Sequence, residues 1–268
     1  MTTQMLGLIS YLVLTFSIAW GLWALFTRHG LSPKDKVFQL AILPGAIAPA
    51  VVAVVVRLFI TREGLVLAEF IPSLSAWPVY AIGWLLPVVI VALTYLVVKK
   101  SRLSRFADEI LSPTMRLPLL AKLPFVALVL GPLMLTEELG WRVFFQARVF
   151  PSSPLVAAVI TGVVWAIWHW PLIRVGYGYP TERGKGFAAF TLWSVLLSIF
   201  LGWVYAQTGD VWGVSLAHMA NNVIGASAIS ILVRGDRKRH LIDYGGLVSA
   251  AILAVVCGVL VLTGGVPW

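Results

Sequence analysis

The sequence predicts an all-α membrane protein: a polytopic bundle of about eight transmembrane helices around a polar cavity within the bilayer. Of its 268 residues, 60% are hydrophobic and 12% are charged, and its mean hydropathy is +0.93. Soluble globular proteins are about 45–50% apolar and about 25% charged. The composition therefore excludes an ordinary soluble domain.

Eight apolar runs are long enough to cross a bilayer, which takes about 20 residues of helix. No gap between them holds a soluble domain, so we expect a single integral membrane domain over residues 1–268. Its polar motifs fall in a core over residues 120–233. The eight runs occupy residues 5–26, 37–60, 77–98, 120–148, 154–175, 187–207, 210–233 and 245–263.

The basic residues predict the orientation of the chain. Its formal net charge is +9, but the lysines and arginines form short clusters between apolar runs, so we expect no nucleic-acid partner. Basic residues concentrate in loops one, three, five and seven, which the positive-inside rule places in the cytoplasm, with both termini on the other side. Short loops favour a prokaryotic plasma membrane. The clusters contain Arg28, Lys34, Lys36, Lys99, Lys100, Arg102, Arg105, Arg116, Arg174, Arg183, Lys185, Arg234, Arg237, Lys238 and Arg239.

Three polar groups lie several residues inside the apolar runs. A charged side chain near the middle of a bilayer costs about 2.5–3.5 kcal/mol on insertion scales, so such groups are rarely there for packing alone. Their position predicts a shared cavity at membrane depth. The groups are Glu137-Glu138-x-x-x-Arg142 in run four, Trp165-x-x-x-His169 in run five and His218-x-x-x-Asn222 in run seven.

The two adjacent glutamates are expected to differ in environment. On a helix, Glu138 and Arg142 are i, i+4 neighbours with the acid on the N-terminal side, which favours an ion pair. Glu137 points about 100° away from that pair. We therefore expect Glu138 to be paired and Glu137 to be free for chemistry.

The two histidine motifs each occupy one helix face. The Trp165 indole is one turn from His169 and can form a wall of its pocket, and Pro171 is expected to bend or end the helix soon afterwards. His218 and Asn222 are also one turn apart. The other histidines, His29 and His240, fall in basic loops and are expected to be solvated.

These residue types support hydrolysis of a peptide bond without a nucleophilic serine or cysteine. A buried glutamate can act as a general base on water, and a histidine can hold that water or relay its proton. A second histidine with an asparagine can stabilise the oxyanion. Alternatively, a divalent metal such as zinc, with Glu137, His169 and His218 as candidate ligands, would activate the water. The sequence leaves both routes open, although its single cysteine, Cys257, excludes a cysteine-based zinc site.

Each polar group also has a structural interpretation. An intramembrane histidine is often a helix-to-helix hydrogen-bonding group, and intramembrane glutamates and histidines also build proton relays in transporters. A non-catalytic scaffold, an immunity protein or a small transporter using the same cavity for binding is therefore the alternative. The coincidence of three complementary groups on three runs favours hydrolysis.

At these residues the chain resembles the CPBP family of intramembrane proteases, which includes the CAAX prenyl endopeptidases and bacteriocin-immunity-type proteins. The family pattern is Glu-Glu-x-x-x-Arg, then aromatic-x-x-x-His, then His-x-x-x-Asn. Trp165 stands where phenylalanine is more usual. The resemblance implies a helical bundle with a cavity open to the cytoplasmic leaflet and a membrane-bound or lipidated peptide or protein substrate.

The resemblance also implies a role for each motif residue. Glu137 would activate water with the aid of His169, and His218 and Asn222 would stabilise the oxyanion. Supporting residues would be Glu138, Arg142 and Trp165. Family members have been regarded both as metalloproteases and as glutamate-dependent hydrolases, so the resemblance does not decide between the two routes.

Overall fold

A computed structural model of the protein describes residues 2–33, 35–101, 105–106, 113–234 and 238–266. Within these residues, eight helical segments are long and apolar enough to cross a bilayer, which confirms the predicted fold class. We call them spans 1 to 8. They cover Thr3–Arg28, Phe38–Ile60, Leu74–Ser101, Arg116–Val149, Pro154–Arg174, Arg183–Thr208, Val211–Leu232 and Arg239–Leu262.

Several spans are built from more than one helical segment. The α-helices are α1 (Thr3–Arg28), α2 (Phe38–Ala46), α3 (Ala48–Val55), α4 (Trp77–Ser101), α5 (Pro113–Leu130), α6 (Leu135–Glu138), α7 (Ala147–Val149), α8 (Pro154–Arg174), α9 (Arg183–Thr208), α10 (Val211–Ala220), α11 (Ser227–Leu232), α12 (Arg239–Ile242) and α13 (Leu247–Leu262). Short 3₁₀ segments occupy Leu67–Phe70, Leu74–Ala76 and Gly131–Met134, and π-helical segments occupy Val56–Ile60, Leu139–Gln146 and Asn221–Ala226.

Helix starts follow the expected capping chemistry, in which a short polar side chain accepts a hydrogen bond from a backbone N–H of the first turn. Thr2 caps α1, Ser153 caps α8 and Asp210 caps α10, with Asp210 accepting from the N–H of Gly213 at 2.9 Å. Gly209 has φ 69°, a left-handed conformation that glycine adopts without strain. It allows the sharp reversal between spans 6 and 7.

Span 4 differs most from a regular helix. The α5 helix gives way to the 3₁₀ segment Gly131–Met134, with Pro132 in its first turn. A single turn of α-helix, α6, then carries Glu137 and Glu138 and continues directly into the π-helical segment Leu139–Gln146. The first polar motif therefore lies at a change of helix type.

The α8 helix, which Pro171 is expected to bend or end, continues through the proline and ends at Arg174. The expectation for His240 is wrong. His240 is not solvated: it is 8% exposed, and its Nδ1 lies 2.7 Å from Oε2 of Glu182. The hydropathy around His240 is that of a basic loop, but this segment packs against Glu182 of loop five.

Spans 5, 6 and 7 are the most buried of the eight. Close approach between α8 and α9 requires Gly162, because a Cβ at that position would overlap the backbone of Val195. An aromatic cluster of Tyr11, Trp141 and Trp168 packs spans 1, 4 and 5 together, with ring centroids 5.6 and 5.7 Å apart. Two of the motif-bearing spans, 4 and 5, are thus packed against each other.

The loops between spans contain little regular secondary structure. Two-residue strands, β1 (Arg105–Phe106) and β2 (Val233–Arg234), pair antiparallel and connect loops three and seven. They are the only departure from helix and loop in the described parts of the chain. Lys34, Arg102 and Arg237, on which the orientation also depends, lie outside the described residues.

Candidate functional site

Side chains from spans 4, 5 and 7 meet around a single cavity of about 360 Å³, which we call the central cavity. The structure therefore brings together residues from all three polar groups. The rest of the lining is largely apolar and includes Ile42, Leu133, Leu172 and Leu197. The motif residues in the wall are Glu137, Trp165, His169, His218 and Asn222.

Glu137 lies in the wall with 7% of its surface exposed. Its Oε2 accepts a hydrogen bond of 2.9 Å from Nε1 of Trp165. Glu137 thus has a hydrogen-bond partner on a neighbouring span, a contact that the periodicity of its own helix does not predict. The carboxylate is held in one orientation and still borders the central cavity, where it can accept a proton from a bound water.

Glu138 connects two side chains deep in the protein. Its Oε1 accepts from Nη1 of Arg142 at 3.0 Å and lies 2.6 Å from Nδ1 of His218. Glu138 and Arg142 are both fully buried, and the Arg142 guanidinium carbon lies 4.5 Å from the centre of the Trp165 ring. The predicted i, i+4 pair is confirmed. The link to His218, which no single helix pattern reveals, ties span 4 to span 7.

The partners of the two histidines indicate where their ring protons lie. An ionised carboxylate and a backbone carbonyl only accept hydrogen bonds, so a ring nitrogen bonded to either carries the hydrogen. Nδ1 of His218 faces Glu138, and Nδ1 of His169 lies 2.9 Å from the carbonyl oxygen of Trp165. Each imidazole therefore has Nε2 left for chemistry.

Aromatic rings fix the orientation of His169. Its ring contacts Trp168, Phe190 and Trp165 edge to face, with centroids 4.7, 5.0 and 5.6 Å apart. The expected contact with Trp165 is confirmed. Trp165 also meets the His218 ring at 5.1 Å and 90°, so one indole borders four of the polar motif residues.

The adjacent asparagines have different environments. Asn221 is 1% exposed; its amide donates to the carbonyl of Ala217 at 2.8 Å, and its oxygen accepts from the Tyr244 hydroxyl at 2.8 Å. Asn222 is exposed and lines the central cavity, with a long contact of 3.5 Å from its amide nitrogen to the sulfur of Met134. Of the two, only Asn222 borders the central cavity.

Two π-helical segments adjoin the site. One begins directly after Glu138, and the other begins at Asn221 and includes Asn222. Such segments are rare and often occur at functional sites, where the wider turn redirects side chains. The regular 3.6-residue period still gives the Glu138–Arg142 pair, but it becomes a poorer guide to side-chain direction further along each segment.

The central cavity continues toward loops one, five and seven. A second cavity of about 430 Å³ shares His169 and Asn222 with it, and a third of about 670 Å³ lies beyond. Gln39 and Tyr177 line all three. Sequence analysis missed both, since neither belongs to a motif and a tyrosine in a loop carries no distinctive signal. Burial raises the pKa of the Tyr177 phenol, which therefore stays neutral.

A metal ion in the central cavity would need several protein ligands close to one point. A catalytic zinc site usually has three protein ligands from histidine, cysteine and carboxylate side chains. Among the described residues, no group of three or more such side chains is close enough to hold a metal. Glu137, His169 and His218 line one cavity but do not form such a group.

Comparison with known proteins supports the family resemblance. Residues 117–224, which contain all the motif residues, match the Rce1-like family of type II CAAX prenyl endopeptidases. The chain is 26% identical over 165 residues to the UPF0177 protein YxdF of Lactococcus lactis subsp. lactis, covering 60% of this chain and 84% of that protein. It is 26% identical over 186 residues to CAAX prenyl protease 2 of Methanococcus maripaludis, covering 64% of this chain and 65% of that protein, just under two thirds of its length.

Proposed function

We propose that this integral membrane protein is an intramembrane endopeptidase that uses Glu137 to activate water. The match to the Rce1-like family points to a CAAX-type protease, and the proposal for this chain rests on one observation. Glu137, His169, His218 and Asn222, from three spans, border one cavity. Each of them presents a side chain suited to a different part of peptide hydrolysis.

In the proposed reaction, Glu137 accepts a proton from a water molecule as the water oxygen attacks the carbonyl carbon of the scissile peptide. His169 positions the water through Nε2. The C–N bond then breaks, and the proton held by Glu137 passes to the leaving amine. No covalent intermediate with the protein is formed.

The oxyanion would be stabilised from span 7. The Asn222 amide donates one hydrogen bond, and His218, when protonated, donates a second from Nε2. Glu138 fixes the orientation of that ring, because its Oε1 lies 2.6 Å from Nδ1. Removing one oxyanion donor typically costs about 10²–10³ in kcat.

The substrate class follows from the lining and from the relatives. The apolar part of the central cavity, with Ile42, Leu133, Leu172 and Leu197, suits a lipid chain or an apolar peptide segment. One relative is named a CAAX prenyl protease, so a prenylated CaaX-type peptide is the first substrate to test. The cavities open at loops one, five and seven, which we call the mouth. The positive-inside rule predicts that these loops face the cytoplasm and that both termini lie on the other side of the membrane. We take this membrane to be a prokaryotic plasma membrane.

The test is hydrolysis of a farnesylated CaaX peptide by the purified protein. Glu137→Gln is expected to lower the rate at least hundredfold, since glutamine cannot accept the proton but can still accept from Trp165. Glu63→Gln is the matched control, because Glu63 pairs with Arg148 outside the site at 2.6 Å. An unchanged rate in Glu137→Gln would exclude this residue as the base. No hydrolysis by wild type of either the farnesylated or the unmodified peptide would contradict the protease assignment for this substrate class.

A further inference from the structure

The second cavity differs in character from the central one. We call it the polar lobe; it has a volume of about 430 Å³ and joins the central cavity at His169 and Asn222. Where the central cavity is mostly apolar, the polar lobe also presents Asn221, Ser230, Arg239, Asp243 and Tyr244. A substrate crossing both cavities would therefore be apolar on one side of the scissile bond and polar on the other.

Arg239 is the distinctive residue of the polar lobe. Among the described residues that line it, Arg239 is the only lysine or arginine and Asp243 is the only acid. Nη1 of Arg239 donates to Oδ2 of Asp243 at 3.0 Å, and Oδ1 of Asp243 accepts from the backbone N–H of Tyr244 at 2.9 Å. Asp243 therefore fixes the position of the guanidinium at the wall of the lobe.

The lining of the cavities carries more positively charged side chains toward the mouth. Arg239 also lines the third cavity, about 670 Å³ in volume, together with Arg183. No carboxylate is among the described residues lining that third cavity. The polar lobe and the mouth together thus present two arginines against one acid, which favours an anionic group.

Hydrogen bonds join loop five to loop seven at and beside the polar lobe. The Tyr179 hydroxyl donates to the Gly245 carbonyl at 2.9 Å, and both residues line the lobe. Glu182 in loop five accepts from the side chain of Lys185 at 2.9 Å and from the backbone N–H of Lys238 at 2.9 Å, and it pairs with His240. These donors lower the pKa of the Glu182 carboxyl, with the hydrogen bond from Lys185 as the largest cause. Such bracing lets the lobe exist before a ligand arrives, which limits the ordering cost of binding.

We infer that the polar lobe binds the C-terminal peptide of the substrate, with the terminal carboxylate recognised by Arg239. This inference rests on the proposed function, in which hydrolysis occurs in the adjoining central cavity. A CaaX sequence stands at the C-terminus of its protein, so its last residue carries a free carboxylate. Arginine suits this group because its planar fork matches a carboxylate with two parallel hydrogen bonds.

The inference is tested by binding, separately from cleavage. The probe is one fluorescent farnesylated CaaX peptide in two forms, with a free C-terminal carboxylate or a C-terminal amide, titrated into the Glu137→Gln protein. The acid is expected to bind at least tenfold more tightly than the amide. Adding Arg239→Gln should weaken binding of the acid about tenfold or more and leave the amide unchanged.

Three further variants separate recognition from folding. Arg239→Lys keeps the positive charge and should keep part of the preference for the acid over the amide. Asp243→Asn removes the nearby negative charge and should increase that preference. Arg183→Gln, at the mouth, is the matched control and should change the acid-to-amide ratio much less than Arg239→Gln. Thermal unfolding of each variant identifies any that is misfolded.

Two results would overturn the inference: equal binding of acid and amide, or an Arg239→Gln variant that binds both forms more weakly by the same factor. A preference for the acid in a wild-type protein that hydrolyses neither peptide would support the polar lobe as a carboxylate site. That same result would count against the proposed endopeptidase activity. The experiment therefore distinguishes a failure of the activity from a failure of carboxylate recognition.

Discussion

The indole nitrogen of Trp165 lies 2.9 Å from Oε2 of Glu137 and joins the second polar motif to the first across two spans. The indole also packs against the guanidinium of Arg142 and edge-on to His169 and His218. A phenylalanine, which is more usual at this position of the motif, has no donor for the carboxylate. In this chain Trp165 therefore positions Glu137 by a hydrogen bond and not only by packing.

Trp165→Phe is expected to lower kcat about ten- to hundredfold with little change in KM. A hydrogen bond to a charged group contributes about 1.5–3 kcal/mol, and about 1.4 kcal/mol corresponds to a factor of ten. Steady-state kinetics on the farnesylated peptide measures both constants.

Trp168→Phe is the control for that experiment. Trp168 is equally buried, but its indole nitrogen has no hydrogen-bond partner among the described residues. The two variants make the same reduction of ring size, so equal losses of kcat would show that packing alone explains the effect of Trp165→Phe.

Glu138→Gln is expected to destabilise the protein and to reduce activity. It leaves the buried Arg142 charge without a partner anion, and breaking a buried pair in this way costs about 3–5 kcal/mol. It also removes the carboxylate that orients His218. A thermal melt should fall by about 10 °C or more, and the rate should fall even at temperatures where the variant is folded.

A double variant distinguishes the two effects. Glu138→Gln with Arg142→Met removes both charges, so much of the lost stability should return. Activity should not return, because His218 still lacks its carboxylate. A double variant that regains the wild-type rate would mean that Glu138 acts only by neutralising Arg142.

The two adjacent asparagines provide an internal comparison. Asn222→Ala is expected to lower kcat about 10²–10³-fold with a normal melting temperature, because its amide faces the central cavity as an oxyanion donor. Asn221→Ala should instead cost about 1–3 kcal/mol of stability, because it leaves the buried Tyr244 hydroxyl without its acceptor. The opposite pattern would place the donor at Asn221.

Much of this architecture is predictable from the sequence, because bilayer thickness fixes the length of each apolar run and the cost of burying charge makes polar motifs conspicuous. The Glu138–Arg142 pair follows from helix periodicity alone. The contacts of Glu137 with Trp165 and of Glu138 with His218 do not, because they depend on how neighbouring helices are rotated.

Changes of helix type explain part of that difference. The 3₁₀ segment Gly131–Met134 and the π-helical segments at Leu139–Gln146 and Asn221–Ala226 shift the faces that a regular period assigns. The polar lobe is harder still to foresee, because its walls combine loop five with residues from five spans and its arginine lies among many other basic residues. Basic residues are expected in these loops from the positive-inside rule, so one that binds a ligand cannot be recognised from the sequence.

Removal of metal ions is expected to leave the rate unchanged. The described residues offer no group of three histidine, cysteine or carboxylate side chains close enough to bind a metal, and the proposed base acts on water directly. Activity is measured after prolonged treatment with a chelator, and the metal content of the same sample is measured by mass spectrometry. A loss of activity that added zinc restores would favour the metal route, with Glu137, His169 and His218 as ligands.

The orientation of the chain can be measured with two single-cysteine variants. The only cysteine, Cys257, is buried and is first replaced by alanine. Ser152→Cys places a thiol in exposed loop four, and Gly184→Cys places one at the start of span 6, where the added side chain meets no neighbouring atom. A membrane-impermeant maleimide added to intact cells should label Ser152→Cys and not Gly184→Cys, whereas both should be labelled after lysis. Because Gly184 is next to Arg183 at the mouth of the cavities, labelling of Gly184→Cys in intact cells would place that mouth, and any substrate that enters through it, outside the cytoplasm.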